Sequence, residues 1–364
     1  MQEKTSKILN ENPSSILYIS FNQDSSCISI GTESGFKIIN TFPFLDLYYK
    51  EMKGGIGIIE MLNKSNILAL VGGGKNPAFP ENELILWDEN KGEEISKIKL
   101  KKKILNVKLK ENKIYIVTSE KIYIFDFNEL NLIDALESKN ELGLISLCYK
   151  EDIIAYPDKK IEGCIHIKNY DTKKNYFFLA HRTPLSYFQI NHQGNLIATS
   201  SLKGTVVRIY NIINGILIKE VRRGTESAYI NYISFDSSNK YFAVVSDRKT
   251  IHLFFLNNSE NNNNNTEQNH QNKSRIILEE EEKKNEGSDI IDDKKGVFYG
   301  FNKFFKYFGS EYSFTKFKIN FSKSICTFGP HNSIFVVSYD GKYYQVGFDP
   351  INNSESYKIQ EERF

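Results

Sequence analysis

One pattern recurs seven times along this 364-residue chain. Short apolar runs alternate with clusters of Asn, Asp, Ser and Gly, as strands joined by tight turns do. Each unit reads as an apolar triplet, a polar turn, a second apolar strand, a small turn and a third strand. Ile19-Ser20-Phe21 is followed by strands at 27–31 and 36–39, Phe188-Gln189-Ile190 by 196–200 and 206–210, and Ile233-Ser234-Phe235 by 241–245 and 251–255. Taking the last apolar residue of each first strand as an anchor gives Phe21, Leu62, Leu109, Leu147, Ile190, Phe235 and Phe328, separated by 41, 47, 38, 43, 45 and 93 residues. A period of about 40–45 residues with several strands per unit is that of a propeller blade. Helical heptads do not fit these segments, which sets aside a helical solenoid of similar period. The expectation is an all-β, seven-bladed WD-repeat-like β-propeller over 1–364, with a long, partly disordered loop inserted in blade 6. Trp87-Asp88 falls where WD repeats carry their Trp-Asp pair and reads as structural.

The 93-residue gap is one period plus an insertion, placed at 257–312. Residues 257–295 are Asn-rich and then acidic, lack packing capacity and are expected to be disordered. Residues 296–312 differ. Phe301, Phe304, Phe305 and Phe308 fall at i, i+3, i+4 and i+7, one apolar stripe if wound as a helix. Two readings stand: the stripe packs on the propeller, or it lies in a bilayer interface as a membrane-insertion element.

Composition narrows the function classes. A net charge of +2 gives no global case for nucleic acid. Aromatics do not interleave with the arginines as base-stacking platforms require. No apolar run reaches the roughly 18–20 residues that span a bilayer, and residues 1–15 lack the apolar core of a secretory signal. Cys27, Cys148, Cys164 and Cys326 are scattered without metal-ligand spacing, so they read as reduced core thiols of a cytoplasmic protein. Gly72-Gly73-Gly74-Lys75 lacks P-loop spacing and runs into Asn76-Pro77. No nucleophile–base arrangement stands out. No enzyme, cofactor or metal is expected.

Arginine use is the remaining anomaly. The chain has seven arginines against a large excess of lysine, and five lie between Arg182 and Arg248. A guanidinium fork binds phosphate oxygens bidentately, which an ammonium does not. In extended Val221-Arg222-Arg223-Gly224 the two arginines point to opposite sides, and Gly224 lets the backbone turn or approach a ligand. A solvated charge pair at a strand end is the alternative.

These stretches resemble the PROPPINs, WIPI-type seven-bladed propellers that bind polyphosphoinositides and act in autophagy. The resemblance rests on Val221-Arg222-Arg223-Gly224-Thr225, where the family has Phe- or Leu-Arg-Arg-Gly, and on Gly204-Thr205-Val206-Val207-Arg208-Ile209-Tyr210 before it. The stretch 246–254 matches, as do Val71-Gly72-Gly73-Gly74-Lys75-Asn76-Pro77 with Trp87-Asp88, and Tyr307-Phe308-Gly309-Ser310-Glu311-Tyr312-Ser313-Phe314. The Gly-rich stretch is most similar to the shorter WIPI-type subgroup.

The resemblance implies two rim pockets for phosphatidylinositol 3-phosphate and/or 3,5-bisphosphate. The first takes Ser201, Gly204, Thr205, Arg208 and Arg222, with His181 nearby. The second takes Arg223, Gly224, Ser246, Thr250 and His252. Histidines there add a proton-dependent donor; Asp247 brings a negative charge that Arg248 offsets. Val221 departs from the family's aromatic or Leu. The resemblance further implies a monomer, reversibly held on pre-autophagosomal, endosomal, vacuolar or plastid-related membranes, and a bridge-like lipid-transfer partner of autophagy docking near 75–82. A WD-repeat protein scaffold without lipid binding is the alternative.

Overall fold

The computed structural model describes residues 16–256, 311–320, 323–351 and 356–364. Seven sheets, antiparallel except for one added edge strand, stand around a central channel. Their innermost strands are Ile16–Phe21, Ile56–Met61, Asn106–Lys110, Ser146–Cys148, Leu185–Ile190, Ile230–Phe235 and Ser324–Gly329. The expected seven-bladed propeller is therefore the observed one.

Three details differ from the sequence reading. Every blade has a fourth, outer strand. In Glu93–Lys99 only Ile98 is buried, and in Leu132–Glu137 only Leu136. An outer strand with one face in solvent lacks the apolar run that marks the inner three. The blade 2 anchor is Met61, not Leu62. Met61 pairs with Leu68 as Phe21 pairs with Ile28 and Ile190 with Ile197. Finally, the 257–312 insertion reaches too far at its end: Glu311–Tyr312 is a strand, added in parallel to the edge of blade 5. The outer strand of blade 6, Thr315–Lys318, follows it. Phe301, Phe304, Phe305 and Phe308, and the Asn-rich and acidic stretches, lie outside the described residues.

Apolar faces of adjacent blades interdigitate in clusters, such as Val207, Val221, Ile233 and Phe242 between blades 5 and 6. The ring closes between blades 7 and 1 by the same means, with no strand shared among the described residues. Ile19, Ile28, Phe335 and Tyr343 form one cluster there, and the Tyr343 hydroxyl donates to the carbonyl of Thr41 at 2.9 Å. All four cysteines are free and buried.

The channel is polar. Ser20, Glu60, Lys108, Ser146, Gln189, Ser234 and Thr327 occupy one register position, one per blade. Lys108 Nζ donates to Glu60 at 3.0 and 3.1 Å beside a cavity of about 510 Å³. Among the described residues no helix is long and apolar enough to cross a membrane, and no three His, Cys, Asp or Glu side chains converge on a metal site.

Candidate functional site

The outer half of blade 5 carries the arginine window. Val206–Asn211 pairs with Leu217–Arg222, setting Val206 opposite Arg222, Val207 opposite Val221 and Arg208 opposite Glu220. Strand alternation then separates the side chains. Val221 is fully buried against blade 6, which explains why an aliphatic residue serves here. Arg208, Glu220 and Arg222 share the other face, toward blade 4. Arg223 lies past the strand end, with its N–H on the carbonyl of Thr205 at 3.0 Å. Its guanidinium turns toward blade 6, donating from Nε to the carbonyl of Gly204 at 3.0 Å and from Nη2 to the carbonyl of Glu226. The two arginines point apart.

On the blade 4 side, Arg208 donates from Nε to Glu220 Oε2 at 2.8 Å and from Nη1 to the carbonyl of Ala180 at 2.9 Å. His181 stands behind it, only 3% exposed. Its Nε2 meets Thr199 Oγ1 at 3.0 Å, and that hydroxyl donates onward to the carbonyl of Arg208. Its Nδ1 faces Arg208 Nη1 at 3.5 Å. This network assigns the neutral tautomer with the proton on Nε2. Burial, and then the Arg208 charge, lower the His181 pKa to about 4. His181 therefore steadies Arg208 from behind and has no ring nitrogen left to donate outward. By contrast, the guanidinium of Arg222 makes no hydrogen bond or ion pair among the described residues. Ser201 and Thr205 are largely buried.

Gly204 is demanded by the fold itself. Its φ is +58°, and a Cβ would come 1.8 Å from the carbonyl oxygen of Ala228. Gly224 is not, because a Cβ there meets nothing within 4 Å. The space beside Gly224 is open to an incoming group.

On the blade 6 side, Arg223 is only 8% exposed. Burial, and then the neighbouring Arg248, lower its pKa. Arg248 donates to the carbonyl of Ser227 at 2.9 Å and lies 3.5 Å from Glu226. Asp247 accepts from the Tyr229 N–H at 3.1 Å. Thr250 Oγ1 donates to the carbonyl of Arg248 at 3.2 Å. Ser246 is fully buried and its hydroxyl has no partner among the described residues, so it sits beneath this surface rather than on it. His252 Nδ1 lies 3.1 Å from Ser313 Oγ; burial, then Arg223 and Lys316, lower its pKa to about 4.

Two contributors escaped the sequence reading. Glu220 sits two residues before Arg222, so strand alternation alone puts it on the same face. The return strand Glu311–Tyr312 pairs with Val221 and Arg222, and Lys219 Nζ reaches Glu311 at 2.6 Å. A parallel strand arriving from so far along the chain leaves no local signal.

The 75–82 stretch lies between blades 1 and 2. The Lys75 N–H bonds Glu33, and Gly55 bonds Asn76 and Ala78. Of the lysines beside it, Lys99 pairs with Glu83, Lys102 with Glu120 and Lys103 with Glu81.

Comparison with known proteins places these features. A family model described as PROPPIN matches residues 15–274. SVP1-like protein 2 of Saccharomyces cerevisiae is 34% identical over 284 residues, covering 67% of this chain and 63% of the relative. Autophagy-related protein 18 of Dictyostelium discoideum is 33% identical over 242 residues, covering 66% and 64%. The chain thus spans less than two thirds of the length of these curated relatives. Among solved structures, Hsv2 of Kluyveromyces lactis matches with a TM-score of 0.74 at 23% identity, over 97% of this chain and 99% of that one. Atg21, in a complex with a coiled coil of Atg16, matches at 0.70 and 18% identity, over 96% and 99%. The seven blades and the motif of paired arginines agree with the family match: the chain belongs to the PROPPIN family.

Proposed function

We propose that this protein is a peripheral phosphoinositide effector. It binds phosphatidylinositol 3-phosphate, or the 3,5-bisphosphate, through two shallow pockets on the rim of blades 5 and 6. The observation that carries the reading is the splay of the arginine pair. Arg222 and Arg223 are consecutive, yet their guanidinium groups serve opposite sides of one blade. The first pocket comprises Arg222 and Arg208 with Ser201, Gly204 and Thr205, and His181 behind Arg208. The second comprises Arg223, Gly224, Thr250 and His252 over the buried Ser246. Arginine supplies bidentate, charge-assisted bonds to a phosphate, and the hydroxyls supply further donors.

One headgroup on so open a surface binds weakly. Two pockets on one rigid edge engage two lipids in one membrane, which multiplies affinity by roughly 10²–10⁴. The propeller then stands edge-on to the bilayer, held reversibly from the cytoplasmic side. The free blades recruit the machinery of autophagy or organelle biogenesis. Relatives named autophagy-related protein 18, and the Atg21 complex with an Atg16 coiled coil, support that direction. The cleft beside 75–82, lined by Met52, Ala78, Phe79 and Trp87, is where we place a protein partner such as a bridge-like lipid-transfer protein. No catalytic step is assigned to the chain.

Liposome co-flotation tests the proposal. Vesicles carry phosphatidylinositol, its 3-phosphate or its 3,5-bisphosphate, and wild type runs beside Arg222→Thr/Arg223→Thr. Flotation only with 3-phosphorylated lipid, lost in the double variant, is the expected result. Equal behaviour of the two proteins would leave a protein-binding propeller as the better account.

A further inference from the structure

The linker from blade 5 to blade 6, residues 224–227, is gripped by two arginines through its backbone. Arg223 donates from Nη2 to the carbonyl of Glu226, and Arg248 donates from Nη2 to the carbonyl of Ser227 at 2.9 Å. Both bonds end on neutral oxygens. Thr225 lies inside the turn that the Arg223 side chain closes. It is exposed, and its hydroxyl makes no hydrogen bond among the described residues. Beside it a Cβ on Gly224 would meet nothing within 4 Å, so the space next to Thr225 is open.

We propose that Thr225 is a phosphorylation site, and that its phosphate shuts the second pocket by taking that pocket's arginine. The inference rests on the phosphoinositide reading above. A serine/threonine kinase supplies the chemistry. The γ-phosphoryl group of ATP moves to Thr225 Oγ1: a new O–P bond forms, the bond to ADP breaks, and the hydroxyl proton passes to the kinase's base. Arg222 and Arg223 precede the acceptor by three and two residues, and kinases choose acceptors by such charge patterns. The linker joins two strands and belongs to neither, so a kinase engages it without opening a sheet.

The product carries about −1.5 to −2 charges and three strong acceptor oxygens. An arginine bonded to phosphate is held about twice as strongly as one bonded to a neutral acceptor, so exchange from the linker carbonyls is favourable. An anion on this linker already reaches one guanidinium: the Glu226 carboxylate lies 3.5 Å from Arg248. The phosphate competes as a tethered ligand, at an effective concentration of the millimolar order set by its short tether. The headgroup arrives from outside and binds one pocket weakly. The competing role for Thr225 is direct contact with the headgroup. In that case Thr225→Ala by itself weakens binding, whereas under the proposal the unmodified variant binds as wild type does.

The experiment incubates the full chain with ATP and an arginine-directed serine/threonine kinase, and tandem mass spectrometry locates the phosphate. Wild type, Thr225→Ala and Ser227→Ala are titrated before and after the reaction with phosphatidylcholine vesicles carrying phosphatidylinositol 3-phosphate. Thermal melting confirms that each is folded. Phosphate on residue 225 is expected to weaken wild type and Ser227→Ala about a hundredfold, the avidity lost with one of two pockets. Thr225→Ala is expected to bind equally before and after. Phosphorus-31 NMR should find the phosphothreonine titrating below its ordinary value of about 6, since a guanidinium partner favours the dianion. Absence of phosphate from residue 225, unchanged binding by the phosphorylated protein, or weak binding by unmodified Thr225→Ala overturns the inference and leaves the phosphoinositide reading intact. Failure of folded, unmodified wild type to bind these vesicles overturns that reading itself, and this inference with it.

Discussion

The hydroxyl of Ser313 lies 3.1 Å from Nδ1 of His252. That contact joins the segment after Glu311–Tyr312 to the blade 6 strand Thr250–Phe255. Together with the pairing of Glu311 and Tyr312 along Val221 and Arg222, it straps the end of the insertion across the edge that carries both arginines. Tyr312 is 67% exposed on this strap.

An ion pair and a hydrogen bond help to hold the strap. Lys219 to Glu311 is an ion pair of 2.6 Å, with Lys219 10% and Glu311 45% exposed. Glu311→Gln with Ser313→Ala should loosen it by about 1 kcal/mol. Amide exchange over 311–314 is expected to accelerate by about fivefold, while the inner strands of blade 5 keep their protection. Hydrogen–deuterium exchange by mass spectrometry reads this directly; unchanged rates would mean that other contacts hold the strap.

The two glycines of the site separate stability from binding. Gly204→Ala places a Cβ 1.8 Å from the Ala228 carbonyl at a positive φ. It should cost on the order of 2–4 kcal/mol in urea unfolding, from backbone strain plus displacement of the blade 5–6 linker. Gly224→Ala enters open space and should change stability by less than about 0.5 kcal/mol. If the backbone at 224 approaches a headgroup closely, the same substitution weakens vesicle binding without lowering the melting temperature.

Acid should unfold this propeller earlier than carboxylates alone require. His181 and His252 both have native pKa values lowered from 6.5 to about 4. His181 faces Arg208 and Thr199; His252 faces Arg223, Lys316 and Ser313. The unfolded chain therefore binds protons before the native state does. Stability is full above about pH 6.5 and falls as pH drops toward 4, by a few kcal/mol in total. Denaturant midpoints from pH 7.5 to 4.5 should show the slope, and His181→Gln should flatten part of it. Proton NMR of the imidazoles should find two rings still neutral at pH 5.5.

The channel pair Glu60 and Lys108 should behave as a unit. Glu60 is 1% exposed and also accepts from Ser20 Oγ at 3.3 Å. Lys108→Met leaves a buried, unpaired carboxylate and should cost about 3–5 kcal/mol. The double variant Glu60→Gln/Lys108→Met should recover more than half of that loss. Chemical denaturation of wild type, Lys108→Met, Glu60→Gln and the double variant gives the coupling energy; additive costs would show that the two charges do not depend on each other.

Much of the propeller was legible in the sequence because burial imposes a period. Three of the four strands in each blade bury apolar side chains, so the 40–45-residue repeat and the blade 6 insertion appear in the order of residues alone. The outer strands were not legible, since at most one buried residue in four to seven makes no pattern. The slip from Met61 to Leu62 has the same origin: both are apolar, and only pairing with Leu68 says which continues the register. The arginine window was legible too, because arginine is scarce elsewhere, and alternation along a strand predicts that Arg222 and Arg223 diverge.

Partner choice belonged to the tertiary structure. Sequence shows that arginines, histidines and hydroxyls are present, but not which of them the fold has already engaged. Arg208 is taken up by Glu220 and Ala180, His181 is turned inward to Thr199, and Ser246 is sealed beneath the surface, whereas Arg222 makes no such bond among the described residues. These outcomes depend on residues brought together from different strands and blades. Their hydrogen bonds and desolvation are set by distance in space. Composition and local periodicity decide which strands form and which face each buries; only the closed ring decides which charges meet.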